Sequence, residues 1–152
     1  MAYLLDTGIL LRFVDAKDSL HATVQQAVEH LVSRQEELFT SAQNVGEFWN
    51  VATRPVANNG LGLPGSEVIQ LLERGIEPVC GIMCDHGSMY AEYKRLLNSY
   101  SIVGKHVHDA RLVAMMLTRQ IDKILTLNER DFRRYQPEGI TVVSPDMLIA
   151  EE

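Results

Sequence analysis

The feature that most constrains this chain is its start, where the apolar run Tyr3-Leu4-Leu5 ends abruptly in Asp6 and Thr7. Three successive bulky apolar side chains mark a strand covered on both faces, as in the middle of a parallel sheet, rather than one with a wet side. Ile9, Leu10 and Phe13 follow at helical spacing, so the chain is expected to turn from strand into helix at Asp6 and Thr7. Asp6 then stands at the carboxyl end of a central strand, where open α/β sheets place their ligands. The plainer reading is that Asp6 or Thr7 caps the helix by accepting hydrogen bonds from its free amides.

The same alternation continues along the chain. Ser19 is expected to cap a surface helix with the stripe Leu20, Val24, Ala27, Val28, Leu31 and Val32. Leu38-Phe39-Thr40 reads as a second strand, and Ser41 as the cap of a helix over 42–53 that buries Val45, Phe48, Trp49 and Ala52. Glu47 falls between those apolar positions, either with its carboxylate in water or for a functional reason. A glycine-rich stretch over 58–65 lacks phosphate-cradling spacing and reads as a connection. Beyond it come a short helix over 66–74 stopped at Gly75, a short strand or edge segment over 77–80, and a helix from His86 to about Ser99 capped by Asp85.

Lys105 to Ala110 opens a further helix through Leu112, Val113, Met115, Met116 and Leu117. Asp109 lies near its start, where the helix dipole favours an anion, and His106 and His108 read as a surface pair. Residues 123–127 form the clearest late strand, running into Asn128-Glu129-Arg130-Asp131-Phe132; residues 139–143 form the last strand, and 147–150 a short tail. Strands alternating with helices imply an α/β fold with a mostly parallel central sheet flanked by helices. A length of 152 residues suits one domain over 1–152.

Charge and cysteine content narrow the partners. A net charge of -6 argues against broad, unspecific attraction to nucleic acid, and the basic residues are spread evenly, so any such contact must be local. Cys80 and Cys84 make neither a redox pair nor a zinc set and read as reduced and structural. No apolar run is long enough to span a bilayer, and the start lacks signal-peptide character, so a cytoplasmic location without membrane contact is expected.

Four acids stand out by position: Asp6 after the first strand, Glu47 on a helix face, Asp109 at a helix start, and Asp131 after the fourth strand. Carboxylates converging at one sheet edge would repel one another and raise their pKa values unless a cation neutralised them. Oxygen ligands suit Mg2+ or Mn2+, and such a centre can polarise a phosphodiester and activate water.

The chain resembles a PIN domain, in particular the VapC-type ribonuclease toxins of toxin-antitoxin pairs. The matching pieces are Leu4-Leu5-Asp6-Thr7, Asn44-Val45-Gly46-Glu47-Phe48, His108-Asp109-Ala110 and Leu125 to Phe132, in that order along the chain. The resemblance implies a three-layer PIN-like fold and an acidic quartet of Asp6, Glu47, Asp109 and Asp131 as catalytic and metal-binding residues. It also implies Mg2+ or Mn2+ as cofactor, RNA as substrate, homodimer formation and inhibition by a cognate antitoxin protein. Thr7, Asn44 and Thr126 are then groups that orient the carboxylates, and Asn128 stands where some relatives carry another acid. Arg12, Lys105, Arg111 and Arg130 are the nearest candidates for contacting backbone phosphates. Homodimer formation is also expected from apolar faces around Trp49, Met115 and Met116.

Three rivals remain on this reading. Asp6-Thr7-Gly8 matches the active-site triplet of aspartic proteases, but that fold is nearly all strand. A phosphorylated receiver-like module would want adjacent acids after the first strand and a lysine after the last, where Ser144-Pro145 stands. A non-catalytic PIN-like module that only binds RNA or protein would have no need of all four acids.

Overall fold

The computed structural model describes residues 1–151. A five-stranded sheet forms from β1 (Ala2–Leu5), β2 (Glu37–Ser41), β3 (Gly81–Met83), β4 (Lys123–Leu125) and β5 (Thr141–Val143), in the order β3-β2-β1-β4-β5. Every pairing is parallel, and β1 lies in the centre as its unbroken apolar run implies.

Alternation along β1 divides the core in two. Tyr3 and Leu5 join one apolar cluster with Ile9 and Leu10 of α1 (Thr7–Val14), Val28 and Leu31 of α2 (His21–Ser33) and Phe48 of α3 (Ala42–Thr53). That cluster also takes in Val68 of α4 (Gly65–Leu71). Leu4 points the other way, into a cluster with Leu96 of α5 (Met89–Ser99), Val113 and Met116 of α6 (Val107–Thr118) and Phe132 of α7 (Glu129–Phe132). Helices therefore cover both sheet faces, and the architecture is the three-layer α/β fold. The last helix, α8 (Pro145–Ile149), replaces the expected short tail, with Ser144 accepting from the Met147 amide and Pro145 at its first position.

Several local expectations are corrected. The helix predicted to begin at Ser19 has Leu20 at its cap position, and the Leu20 amide donates to Asp18 Oδ1 at 2.8 Å. The short helix predicted to stop at Gly75 is regular only over Gly65–Leu71, and a wider π-type turn carries the chain through Gly75 to Ile76. The strand predicted over 77–80 is a turn, closed by the Val79 and Cys80 amides donating to Ile76 O; β3 begins one residue later, at Gly81. Pro78 has no amide to give a ladder, whereas Gly81 lies opposite Phe39, whose ring comes within 3.0 Å of where a Cβ would be. Asp85 does not cap a helix starting at His86: α5 starts at Met89, and Asp85 accepts from Arg111 instead, at 2.7 Å. Cys80 is buried as expected, but Cys84 is exposed, so the structural reading fails for it. Met115 and Met116 are 1% and 0% exposed, so they pack the protomer's own core and offer no face to a second copy. Among the described residues, no helix is long and apolar enough to cross a membrane.

Candidate metal centre

Parallel pairing puts the ends of β1 and β4 side by side, with Leu5 opposite Leu125. Asp6 and Thr126 therefore leave the sheet together at its carboxyl edge, joined through the Asp6 amide donating to Leu125 O at 3.0 Å. Asp6 is 7% and Thr126 0% exposed. A carboxylate this buried needs donors, and it has three: Thr126 Oγ1 donates to Oδ2 at 2.7 Å, the Thr7 amide to Oδ1 at 2.9 Å, and Asn44 Nδ2 to Oδ1 at 3.4 Å. The Thr7 contact makes Asp6 the cap of α1 as well, so the capping and site readings describe one residue doing both.

Glu47 is brought in from α3. Ser41 caps that helix, its hydroxyl accepting from the Asn44 amide at 3.0 Å, and this fixes the first turn so that the fully buried Asn44 faces α1. Asn44 Nδ2 donates to Thr7 Oγ1 at 2.9 Å, and Thr7 Oγ1 donates in turn to Glu47 Oε2 at 2.7 Å. Glu47 is thus not a stripe-edge acid with its carboxylate in water; it is tied through Thr7 and Asn44 to Asp6. Its other oxygen accepts from Gln43 Nε2 at 3.3 Å. Gln43 also donates to His108 O at 2.9 Å and accepts from Arg111 Nη1 at 3.1 Å, which fastens α3 to the start of α6.

Asp109 stands in the first turn of α6 and Asp131 in α7. The cap position of α7 is Asn128, whose amide donates to Thr126 Oγ1 at 2.9 Å and whose carbonyl accepts from the Asp131 amide at 3.1 Å. One threonine hydroxyl thereby orients both Asp6 and the loop that presents Asp131. Ligand atoms of His106, Asp109 and Asp131 lie within 4.8 Å of one another. That trio does not include Asp6 or Glu47, which form the hydrogen-bonded half of the cluster.

The electrostatics follow the crowding. Burial pushes the Asp6 carboxyl up, with the Glu47 and Asp131 charges adding to it and the Thr126 and Thr7 hydrogen bonds opposing it. Asp109 is pushed up to about 6, first by burial, then by the charges of Asp131 and Asp6, with His106 acting the other way.

His106 and Gln43 are the two residues that reading the sequence missed. In sequence His106 reads as part of a surface pair with His108, yet it precedes Asp109 by three residues, the spacing that places side chains on one helical face. Of the basic candidates, Arg12 folds back, Nη1 lying 3.5 Å from Gly8 O and Nε 3.6 Å from Asp18, and Arg111 is engaged by Gln43 and Asp85. Lys105 and Arg130 are exposed. Arg130 borders a cleft of about 350 Å³ lined also by Leu127, Asn128 and Asp131. A larger cleft of about 670 Å³, lined by Phe13, Leu61, Leu63 and Leu71, contains none of the four acids.

The family model for the PIN domain matches residues 3–136. By sequence, no curated protein matches the chain. Among solved structures the chain is similar to VapBC-1 from nontypeable Haemophilus influenzae, with a TM-score of 0.69 at 16% identity over 96% of this chain and 99% of that one. It is similar to VapBC2 from Rickettsia felis, solved with a fragment of promoter DNA, with a TM-score of 0.66 at 14% identity over 95% and 98%. A third is VapC20 from Mycobacterium tuberculosis, described as a sarcin-ricin-loop-cleaving toxin, with a TM-score of 0.61 at 15% identity over 91% and 96%. At these identities the likeness establishes the fold.

Proposed function

The chain belongs to the PIN domain family, and on that premise we propose that it is an endoribonuclease dependent on Mg2+ or Mn2+, with Asp6, Glu47, Asp109 and Asp131 as its catalytic and metal-binding acids. The observation that carries this reading is the crowding of acids at a buried Asp6 held by three donors: Glu47 is tied to it through Thr7 and Asn44, and the neighbouring charges of Asp131 and Asp109 interact with it. Burying one acid beside others lowers stability, and a binding module would gain nothing from it.

The donor set suits a hard divalent cation. Asp109 and Asp131 offer oxygens within 4.8 Å of each other, and Asp6 and Glu47 add carboxylates oriented by Thr126, Thr7 and Asn44. Bound there, Mg2+ or Mn2+ supplies Lewis-acid polarisation of a phosphodiester and a water of lowered pKa. The chain's own groups do the rest. Hydrogen bonds from Thr126 and the Thr7 amide oppose the rise that burial imposes on the Asp6 carboxyl, and Gln43 and Thr7 hold the two oxygens of Glu47. The exposed Lys105 and Arg130, four residues before Asp109 and next to Asp131, supply local positive charge for the RNA backbone on a chain that is acidic as a whole.

In biological terms the reading is the toxin of a type II toxin-antitoxin pair, acting in the cytoplasm as a homodimer and restrained by a cognate antitoxin protein. The names of the similar structures, a loop-cleaving toxin and two VapBC proteins, support the toxin-antitoxin part of this reading. Purified protein is expected to cut total RNA with Mn2+ and to lose that activity in excess chelator and as Asp6→Asn, whose fold should persist. Undiminished cutting under either condition would remove the proposal. A folded protein that binds RNA without cutting it would favour the non-catalytic module.

A further inference from the structure

We propose that His106 is a nitrogen ligand of the divalent-metal centre, which makes this site a mixed imidazole and carboxylate set that prefers Mn2+ to Mg2+. The inference rests on the proposed function for the existence of the centre and concerns only its composition. His106 ends a short 3-10 turn over Gly104–His106, directly before α6, and Gly104 takes the left-handed φ of 60° with which that turn begins. The turn carries the imidazole back over the first turn of the helix, where Asp109 stands. His106 Nδ1 lies 3.8 Å from Asp109 Oδ2, and a ligand atom from each of His106, Asp109 and Asp131 falls within 4.8 Å of the others.

These separations have a specific meaning. At 3.8 Å the imidazole and carboxylate are too far apart to share a hydrogen bond directly. Two ligands about 2.1 Å from one octahedral ion are about 3 Å apart when adjacent and about 4.2 Å when opposite. The His106–Asp109 distance lies inside that interval, and the bound of 4.8 Å on all three separations leaves at most a small side-chain rotation to bring the trio onto one ion. His106 and Asp109 are also partly open, with side chains 36% and 27% exposed, so an ion can reach them. Mg2+ is selective for oxygen and holds its waters, whereas imidazole shifts preference toward Mn2+ and the later divalent metals.

The rival role for His106 is that of a cation paired with Asp109. It predicts the opposite sign: a protonated imidazole repels a metal ion, so removing it leaves metal binding unchanged or tightens it. The deciding measurement is titration of the full chain, and of His106→Ala and His106→Gln, with Mn2+ and separately Mg2+ by calorimetry, together with pulsed electron paramagnetic resonance of the Mn2+-loaded proteins. Expected are nitrogen hyperfine modulation in the unaltered protein, its disappearance in both variants, and Mn2+ binding weaker by about tenfold or more. Mg2+ binding should change by less than about threefold, since that ion depends on the oxygens. Bound Mn2+ without nitrogen modulation, or equal losses for both ions, or tighter binding by the variants, would overturn the assignment while leaving the metal nuclease standing. If the unaltered protein bound neither ion, the proposed function itself would fall, and the assignment with it. Should either variant not fold, the nitrogen signal of the unaltered protein decides alone.

Discussion

Thr126 and Asp6, 120 residues apart in the chain, are joined by a hydrogen bond of 2.7 Å from the threonine hydroxyl to Oδ2. The same hydroxyl accepts from the Asn128 amide at 2.9 Å, so a fully buried oxygen connects the end of β1 to the loop that carries Asp131. Asp6 and the loop that presents Asp131 therefore both depend on the one β1–β4 pairing.

Thr126→Val keeps the shape of the side chain and removes its donor. Leaving a buried acceptor without its donor costs about 1–3 kcal/mol, and the metal-free protein should lose stability of that order, with the Asp6 carboxyl moving further up. Denaturant unfolding measures the loss. Unchanged stability would mean that the hydroxyl does not stabilise the buried Asp6 carboxyl.

Asp109 gives a pH signature in the metal-free protein. Its carboxyl is raised from 3.8 to about 6, so the folded state binds a proton that the unfolded chain has already released. The sign follows: the cost is absent below the unfolded value, grows as pH rises between the two, and is complete above about 6. Asp109→Asn removes it and should make the metal-free protein more stable at pH 7 to 8 by about 1–3 kcal/mol, with no advantage near pH 3. Unfolding curves for both proteins across that range test it, and an advantage independent of pH would contradict it.

Metal should reverse that order. An ion that binds only the folded cluster stabilises by about 2.7 kcal/mol at a hundredfold excess over its Kd, so Mn2+ should raise the Tm of the unaltered protein. Asp131→Asn should blunt the rise and abolish RNA cleavage together. Identical melting curves with and without Mn2+ in both proteins would sink the metal centre.

Gln43→Ala tests the bridge from α3 to α6. The side chain touches Glu47, His108 O and Arg111, all near the surface, so the loss of stability should stay near about 1 kcal/mol. RNA cleavage should fall much further, because Glu47 then keeps only the Thr7 contact among those described. Cleavage rates set beside unfolding free energies separate the two effects; cleavage falling only in step with stability would leave Gln43 a structural residue.

Tyr135 is fully buried beneath Tyr100, with ring centroids 5.1 Å apart, and its hydroxyl has no hydrogen-bond partner among the described residues. Burial pushes that phenol up to about 12. Tyr135→Phe should therefore be neutral or stabilising by up to about 1–2 kcal/mol. A clear loss of stability in thermal unfolding would show that the hydroxyl is engaged.

The fold class was legible in the sequence because its determinants are local. The run Tyr3-Leu4-Leu5 requires cover on both faces wherever it lies, and the helical stripes of α2 and α3 require a core on one side. The acids Asp6 and Asp131 could be placed at strand ends because parallel pairing sends all such ends to one edge, and Ser41 could be read as a cap from its own neighbours. What resisted was whatever depends on a partner distant in sequence. The position of β3 is set by Phe39 needing the space that Gly81 leaves, the burial of Met115 and Met116 by how α6 packs on the sheet, and the meeting of His106 with Asp131 by where α7 emerges from β4. Glu47 is the plainest case: one helix gives it an ambiguous angle, and only when α1 and α3 pack together do Thr7 and Asn44 turn it toward Asp6. Local periodicity determines which face of an element is buried, but the direction and company of a polar side chain are decided by long-range packing, which no window of sequence contains.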